Sequence, residues 1–150
     1  MHRLTSAMCG LILLGTGLVL AFAQPAEEAQ KQLQGTWAAT AAERDGQGAD
    51  DVVGHRLSFT GNRFQIQSKD GKPLNAGTVR VDPSAKPAAI DFDHTEGALK
   101  GKTWKGIYVL NGDALTTCDN APNLDKGRPT AFEAKSGSGY VLITFKRANP

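Results

Sequence analysis

Cysteine and histidine are scarce in this chain. Two cysteines, Cys9 and Cys118, and three histidines, His2, His55 and His94, occur among 150 residues. Cys9 falls in a segment expected to be removed, so Cys118 has no partner for an intrachain disulfide and the fold has to hold by burial. A lone thiol of this kind is ordinarily a small buried apolar residue. Catalytic zinc wants two or three histidine ligands, and with only His55 and His94 beyond the N-terminal segment, no metal and no other cofactor is expected. An excess of charge of one sign is also missing. Against 17 Lys and Arg stand 15 Asp and Glu, which gives no electrostatic case for nucleic acid or an anionic membrane. No Gly-x-Ser-x-Gly and no glycine-rich phosphate loop occurs, so no catalytic residue is assigned.

Long apolar runs are absent after the N-terminus, and the one present is short. Arg3, with His2 and the amino terminus, makes a small positive region. Leu11 to Phe22 is uncharged and mostly apolar, and Ala21-Phe22-Ala23 offers the small-x-small pattern of a cleavage site. These are the three parts of a secretory signal. The run falls short of the roughly 20 apolar residues of a membrane span, and no span is expected. Residues 1–23 are therefore expected to be a signal peptide and 24–150 one domain, periplasmic or extracellular after cleavage near Ala23. Cleavage removes Arg3 alone among the charged residues.

Pro25 to Leu33 is rich in Ala, Glu and Gln and has no β-branched residue, which predicts a short helical lead-in. Beyond it, short alternating runs are divided by Gly, Pro, Asn and Asp, which predicts an all-β fold. Eight strands are expected, at Gly35–Glu43, His55–Thr60, Arg63–Ser68, Gly77–Asp82, Ala88–Asp93, Thr103–Leu110, Ala114–Asp119 and Tyr140–Arg147. Eight suits a small closed antiparallel barrel. Arg128–Glu133 is left as an edge extension or a loop. Gly61-Asn62 reads as a two-residue hairpin loop, pairing Thr60 with Arg63, Phe59 with Phe64 and Leu57 with Ile66. Asn111-Gly112 reads as a second one, pairing Tyr108 with Leu115. A loop shifted to Gly112-Asp113 changes the partners but leaves Trp104, Tyr108, Leu110, Leu115 and Thr117 on one face and Cys118 on the other.

Gly35-Thr36-Trp37 at the start of the first strand and Lys146-Arg147 at the end of the last resemble the lipocalin and calycin arrangement. There, a tryptophan plugs one end of the barrel and a basic side chain lies across its ring. A narrower resemblance spans nearly all of the chain after residue 23. Its ordered elements are Leu33-Gln34-Gly35-Thr36-Trp37, Gly77-Thr78-Val79, Asp82-Pro83-Ser84 with Lys86-Pro87, and Ile90-Asp91. Then follow Gly101-Lys102, Gly106-Ile107-Tyr108, Gly112-Asp113-Ala114-Leu115, Cys118, Arg128-Pro129-Thr130 with Phe132, and Lys146-Arg147. The series is similar to an uncharacterised lipocalin-like domain family best known from planctomycete bacteria. The resemblance implies a lipocalin-like barrel and often export; it brings no activity, cofactor or catalytic residue. Gly35, Trp37 and Arg147 are expected to form a structural clasp.

Three functions are open to such a chain. Phe59, Phe64, Phe92, Trp104 and Tyr108 could line an apolar cavity, which would make a binding module for a small apolar ligand or a protein partner. Asp91, Asp93 and His94, next to Glu96, form the densest polar cluster and would suit a hydrolase- or lyase-type enzyme. Strand alternation, however, sends His94 away from the two carboxylates. A structural or inhibitory protein-interaction domain working through its loops is the third. Asp119, Asn120, Asn123 and Asp125 lack the spacing of a calcium loop. The interior is expected to be narrow or largely filled.

Overall fold

A computed structural model describes residues 25–149. The expected signal peptide lies outside the described residues. Helix α1 (Pro25–Leu33) leads into nine strands: β1 (Gly35–Arg44), β2 (Gln47–Gly48), β3 (Arg56–Thr60), β4 (Arg63–Gln67), β5 (Pro73–Asp82), β6 (Ala89–Gly97), β7 (Thr103–Asn111), β8 (Ala114–Asp119) and β9 (Val141–Arg147). Every pairing is antiparallel, and β1 pairs with both β3 and β9, so β1 and β3 to β9 close an eight-stranded barrel. This is a lipocalin-like architecture. The two-residue β2 is a flap folded onto the end of β1. Among the described residues, no helix is long and apolar enough to cross a membrane.

The two ends of the barrel differ. At one end the connections are short, and the β3–β4 turn is the two-residue loop Gly61-Asn62 with Thr60 opposite Arg63. Glycine comes first there because its φ is +59°, a value that costs it nothing. The β7–β8 turn is Gly112-Asp113, with Asn111 opposite Ala114 and Leu110 opposite Leu115. This corrects the Asn111-Gly112 register. The positive φ falls on Gly112, at 61°, and moving it to the first loop position slides the register without turning any side chain over. At the other end lie the two longest connections, residues 45–55 between β1 and β3, which include β2, and above all residues 120–140 between β8 and β9.

Helix α1 covers the short-turn end. Its acidic residues Glu27 and Glu28 lie in the first turn and Lys31 in the last, each matched to the helix dipole. Leu33 is fully buried in the core. Gln34 then grips the β3–β4 turn, its amide donating to Gly61 O at 3.0 Å and accepting from Gly61 N–H at 2.7 Å.

The clasp lies beneath. Trp37 is completely buried, and its Nε1 donates to Leu33 O at 2.8 Å. Arg147, its partner in the β1–β9 ladder, holds its guanidinium 4.1 Å from the indole centroid. The same guanidinium donates to Gln34 O, Gln32 O and Asp113. One cation thus ties the helix, the first strand, the last strand and the β7–β8 turn together. Gly35 takes φ +108°, and a Cβ there would stand 3.5 Å from the Arg147 guanidinium.

Two strands are longer than their sequence pattern predicts. β5 starts at Pro73 rather than Gly77, and β6 runs to Gly97 rather than stopping at Asp93. Proline is admissible at a strand start, where no ladder donor is required. A register shift between Ala76 and Gly77 carries β6 past His94, which hides the continuation from a strict two-residue period. At the shift a Cβ on Gly77 would collide with the Asp93 carbonyl, so glycine lets the two backbones meet. Arg128–Glu133 forms no strand; it belongs to the long loop over the outside of the wall.

Candidate functional site

Alternation fixes which side chains face inward. Leu57 and Phe59 of β3, Phe64 of β4, Ile90 and Phe92 of β6, Tyr108 of β7, Leu115 of β8 and Phe145 of β9 form one buried core with Trp37 and Leu33. This fills the clasp end. Toward the long-loop end the filling stops, leaving a cavity of about 270 Å³. Leu57, Ile66, Phe92, Trp104, Val141, Ile143 and Phe145 give it apolar walls, with Thr117 and Asp119 from β8. Arg44, Val52, His55, Arg56, Leu74 and Asn75 border it toward the rim, and Ala121 and Pro122 of the long loop close one side. Arg44, Arg56 and Leu74 are solvent-exposed, so the cavity reaches the surface. The interior is therefore partly hollow, more open than the narrow or largely filled interior expected from the sequence.

Of the five aromatic residues singled out from sequence, Phe92 and Trp104 border this cavity. Phe59, Phe64 and Tyr108 face the same interior but are packed into the core. Phe64 meets Phe92 edge-on at 5.0 Å between centroids, and Phe92 meets Trp104 at 6.2 Å. Such edge-on pairs make the wall stiff as well as apolar.

The polar cluster Asp91, Asp93 and His94 does not assemble. Asp91 and Asp93 lie on the outer surface in a ladder of ion pairs. Arg80 Nε donates to Asp93 at 2.8 Å, Thr103 Oγ1 donates to it at 2.7 Å, and Arg128 donates to Asp91 at 2.7 Å. The hydrogen bond from Arg80 holds the Asp93 carboxyl below its ordinary range. His94 points inward, with its ring 5.2 Å from Phe64 and 4.3 Å from Trp104. Burial disfavours the charged imidazole and pushes its pKa down. Its Nδ1 lies 3.2 Å from Lys102 O; with the proton there, Nε2 is left as an acceptor. Nε2 and the neighbouring Trp104 Nε1 are fully enclosed and have no partner. No proton-transfer pair can form between groups on opposite faces of a wall, which removes the geometric basis for catalysis by these three.

Among the cavity residues that sequence reasoning missed, Asp119 is the buried ionisable one. It is 3% exposed. Its Oδ1 accepts from Ala121 N–H at 2.9 Å. Burial pushes its pKa up to about 7, with only that backbone bond acting the other way. The alternation that places Leu115 and Thr117 inward extends to Asp119, and that was the signal available. The next residue, Asn120, pins the loop, its Oδ1 accepting from Lys105 N–H and its Nδ2 donating to Lys126 O. Cys118 faces the opposite way, buried under the long loop, where Sγ donates to Glu133 O at 3.4 Å. Burial raises its thiol pKa to about 11, which makes it inert at neutral pH.

No family model, no curated protein and no solved structure matches this chain.

Proposed function

We propose that the protein is an exported lipocalin-like binding module that holds one small apolar molecule inside its barrel. The single observation that carries this reading is the cavity at the long-loop end, about 270 Å³ in volume and walled by aliphatic and aromatic side chains. Its apolar and aromatic lining is the usual form of a small-molecule site, and its volume stands just below the ~300–1,000 Å³ typical of such pockets. At about 30 Å³ of liquid volume per molecule, the same space would hold about nine waters, with few polar partners for them along its apolar walls. An apolar guest releases that water and gains dispersion contacts with walls already in place. Export is supported by the tripartite N-terminal signal in residues 1–23. The lipocalin-like family resemblance is compatible with the same role.

The test is titration of the purified domain with N-phenylnaphthylamine, an uncharged dye that brightens in apolar surroundings. Saturable enhancement at one dye per chain, and an apolar compound in an organic extract of the native protein, are expected. Absence of saturable binding together with a clean extract would overturn the reading.

A further inference from the structure

The cavity is not uniformly apolar, because one carboxyl group stands in its wall without a cation. The ionisable groups that border the cavity with Asp119 are Arg44, His55 and Arg56. Arg44 is already committed, donating from both terminal nitrogens to Asp51 at 2.9 and 3.2 Å. His55 and Arg56 stand at the head of β3, toward solvent, and neither bonds to Asp119. Among the described residues, the only hydrogen bond to the Asp119 side chain comes from Ala121 N–H, on Oδ1. Among the described residues, the enclosed polar side-chain atoms without a partner are His94 Nε2 and Trp104 Nε1. Asp119 itself borders the cavity, and among the described residues no donor reaches its Oδ2.

We infer that the guest is a small apolar amine whose ammonium group pairs with Asp119 Oδ2 while its hydrocarbon body lies between Phe92, Trp104 and Ile143. This inference rests on the container reading and adds the chemical class of the guest. A buried carboxylate without a counter-charge is costly, and a cation that enters with the ligand removes that cost. A bare metal ion fits poorly: among the described residues, no three His, Cys, Asp or Glu side chains gather to hold one. An anionic guest would set its own charge against Asp119.

The polypeptide also fixes Asp119 in place. A Cβ at Gly106, its partner across the β7–β8 ladder, would come 2.9 Å from Asp119 Cβ. Glycine at that position leaves the carboxyl-bearing side chain its room. The Ala121 bond then orients one oxygen toward the loop and frees the other.

Three compounds of one shape and different charge separate the possibilities: phenethylamine, phenethyl alcohol and phenylacetate, each titrated calorimetrically into the domain at pH 8. A hydrogen bond to a charged group is worth more than a neutral one, so the amine is expected to bind about 10–100-fold more tightly than the alcohol. Phenylacetate is expected to bind weakest. Asp119→Asn, which keeps the Oδ1 acceptor for Ala121, should bring the amine down to the level of the alcohol and leave alcohol binding unchanged. Equal binding of amine and alcohol, or tightest binding of the acid, overturns the amine inference and leaves the container reading standing. No binding of any of the three, with no dye binding, overturns both. Should Asp119→Asn fail to fold, the ranking of the three compounds on the native protein decides the question alone.

Discussion

Arg147 does several jobs at once. Its guanidinium covers the face of Trp37 and donates to Gln34 O at 2.7 Å, Gln32 O at 3.1 Å and Asp113 at 3.0 Å. A planar fork of donors can do this, and a lysine ammonium cannot. Removing the indole should leave a large void beneath this network: Trp37→Ala is expected to cost about 3–5 kcal/mol in a denaturant melt. An unchanged melt would show that the ring is not structural. Asp119 makes the opposite kind of contribution. Its folded pKa of about 7 lies above the ordinary aspartate value of 3.8, so the folded state holds the proton more tightly than the unfolded chain. The stabilisation is full below about pH 4 and is lost as pH rises through about 7. Asp119→Asn should therefore flatten the fall in stability between pH 4 and 7. Above that range the variant should be more stable than the native protein by on the order of 1–3 kcal/mol, the scale of a poorly satisfied buried polar group. Melts at several pH values check the slope; parallel curves for the two proteins would contradict it.

At the scale of elements, the hairpins were legible and the loops were not. Gly61-Asn62 stands between two alternating apolar runs, and the register Thr60 to Arg63, Phe59 to Phe64 and Leu57 to Ile66 follows from it directly. Gly112 gave the side of each residue but not the partner, because two adjacent loop placements satisfy the same alternation. The ends of β5 and β6 were hidden by the register shift near Gly77, where local pattern no longer tracks pairing. The long loop has no period to read. Its anchor is Arg128, which donates to Asp91 at 2.7 Å and to Gly106 O at 2.7 Å. Arg128→Ala is expected to cost about 1.5–3 kcal/mol, the worth of hydrogen bonds from a charged donor. It should also free the segment that covers Cys118. Faster tryptic cleavage after Lys126 and Lys135, with faster alkylation of Cys118, is the expected readout; cleavage at the native rate would show that Asn120 alone holds the loop.

For the whole molecule, closure of β1 onto β9 leaves the eight barrel strands paired on both sides and divides the barrel into a plugged end and an open one. Composition foretold the barrel, since eight alternating segments with glycine and proline punctuation leave few other solutions. It could not foretell the cavity. Whether inward side chains meet depends on strand tilt and on how far Trp37, Phe59 and Phe64 fill one end, and neither is encoded in a two-residue period. The Asp91, Asp93 and His94 cluster shows the same limit from the other side, because closeness along a strand separates residues across a wall. What alternation did carry was the inward face of β8, from Leu115 through Thr117 to Asp119.

The central claim, that the barrel is a container, is tested most directly by filling it. Ile143 borders the cavity from β9, and Ile143→Trp would place a larger side chain in the open space. Dye titration of this variant beside the native protein, with circular dichroism to verify the barrel, is the decisive measurement. Saturable binding at one dye per chain in the native protein, lost in a folded Ile143→Trp variant, is the predicted result. Undiminished binding in the folded variant would contradict the claim and place the dye on the outside of the protein.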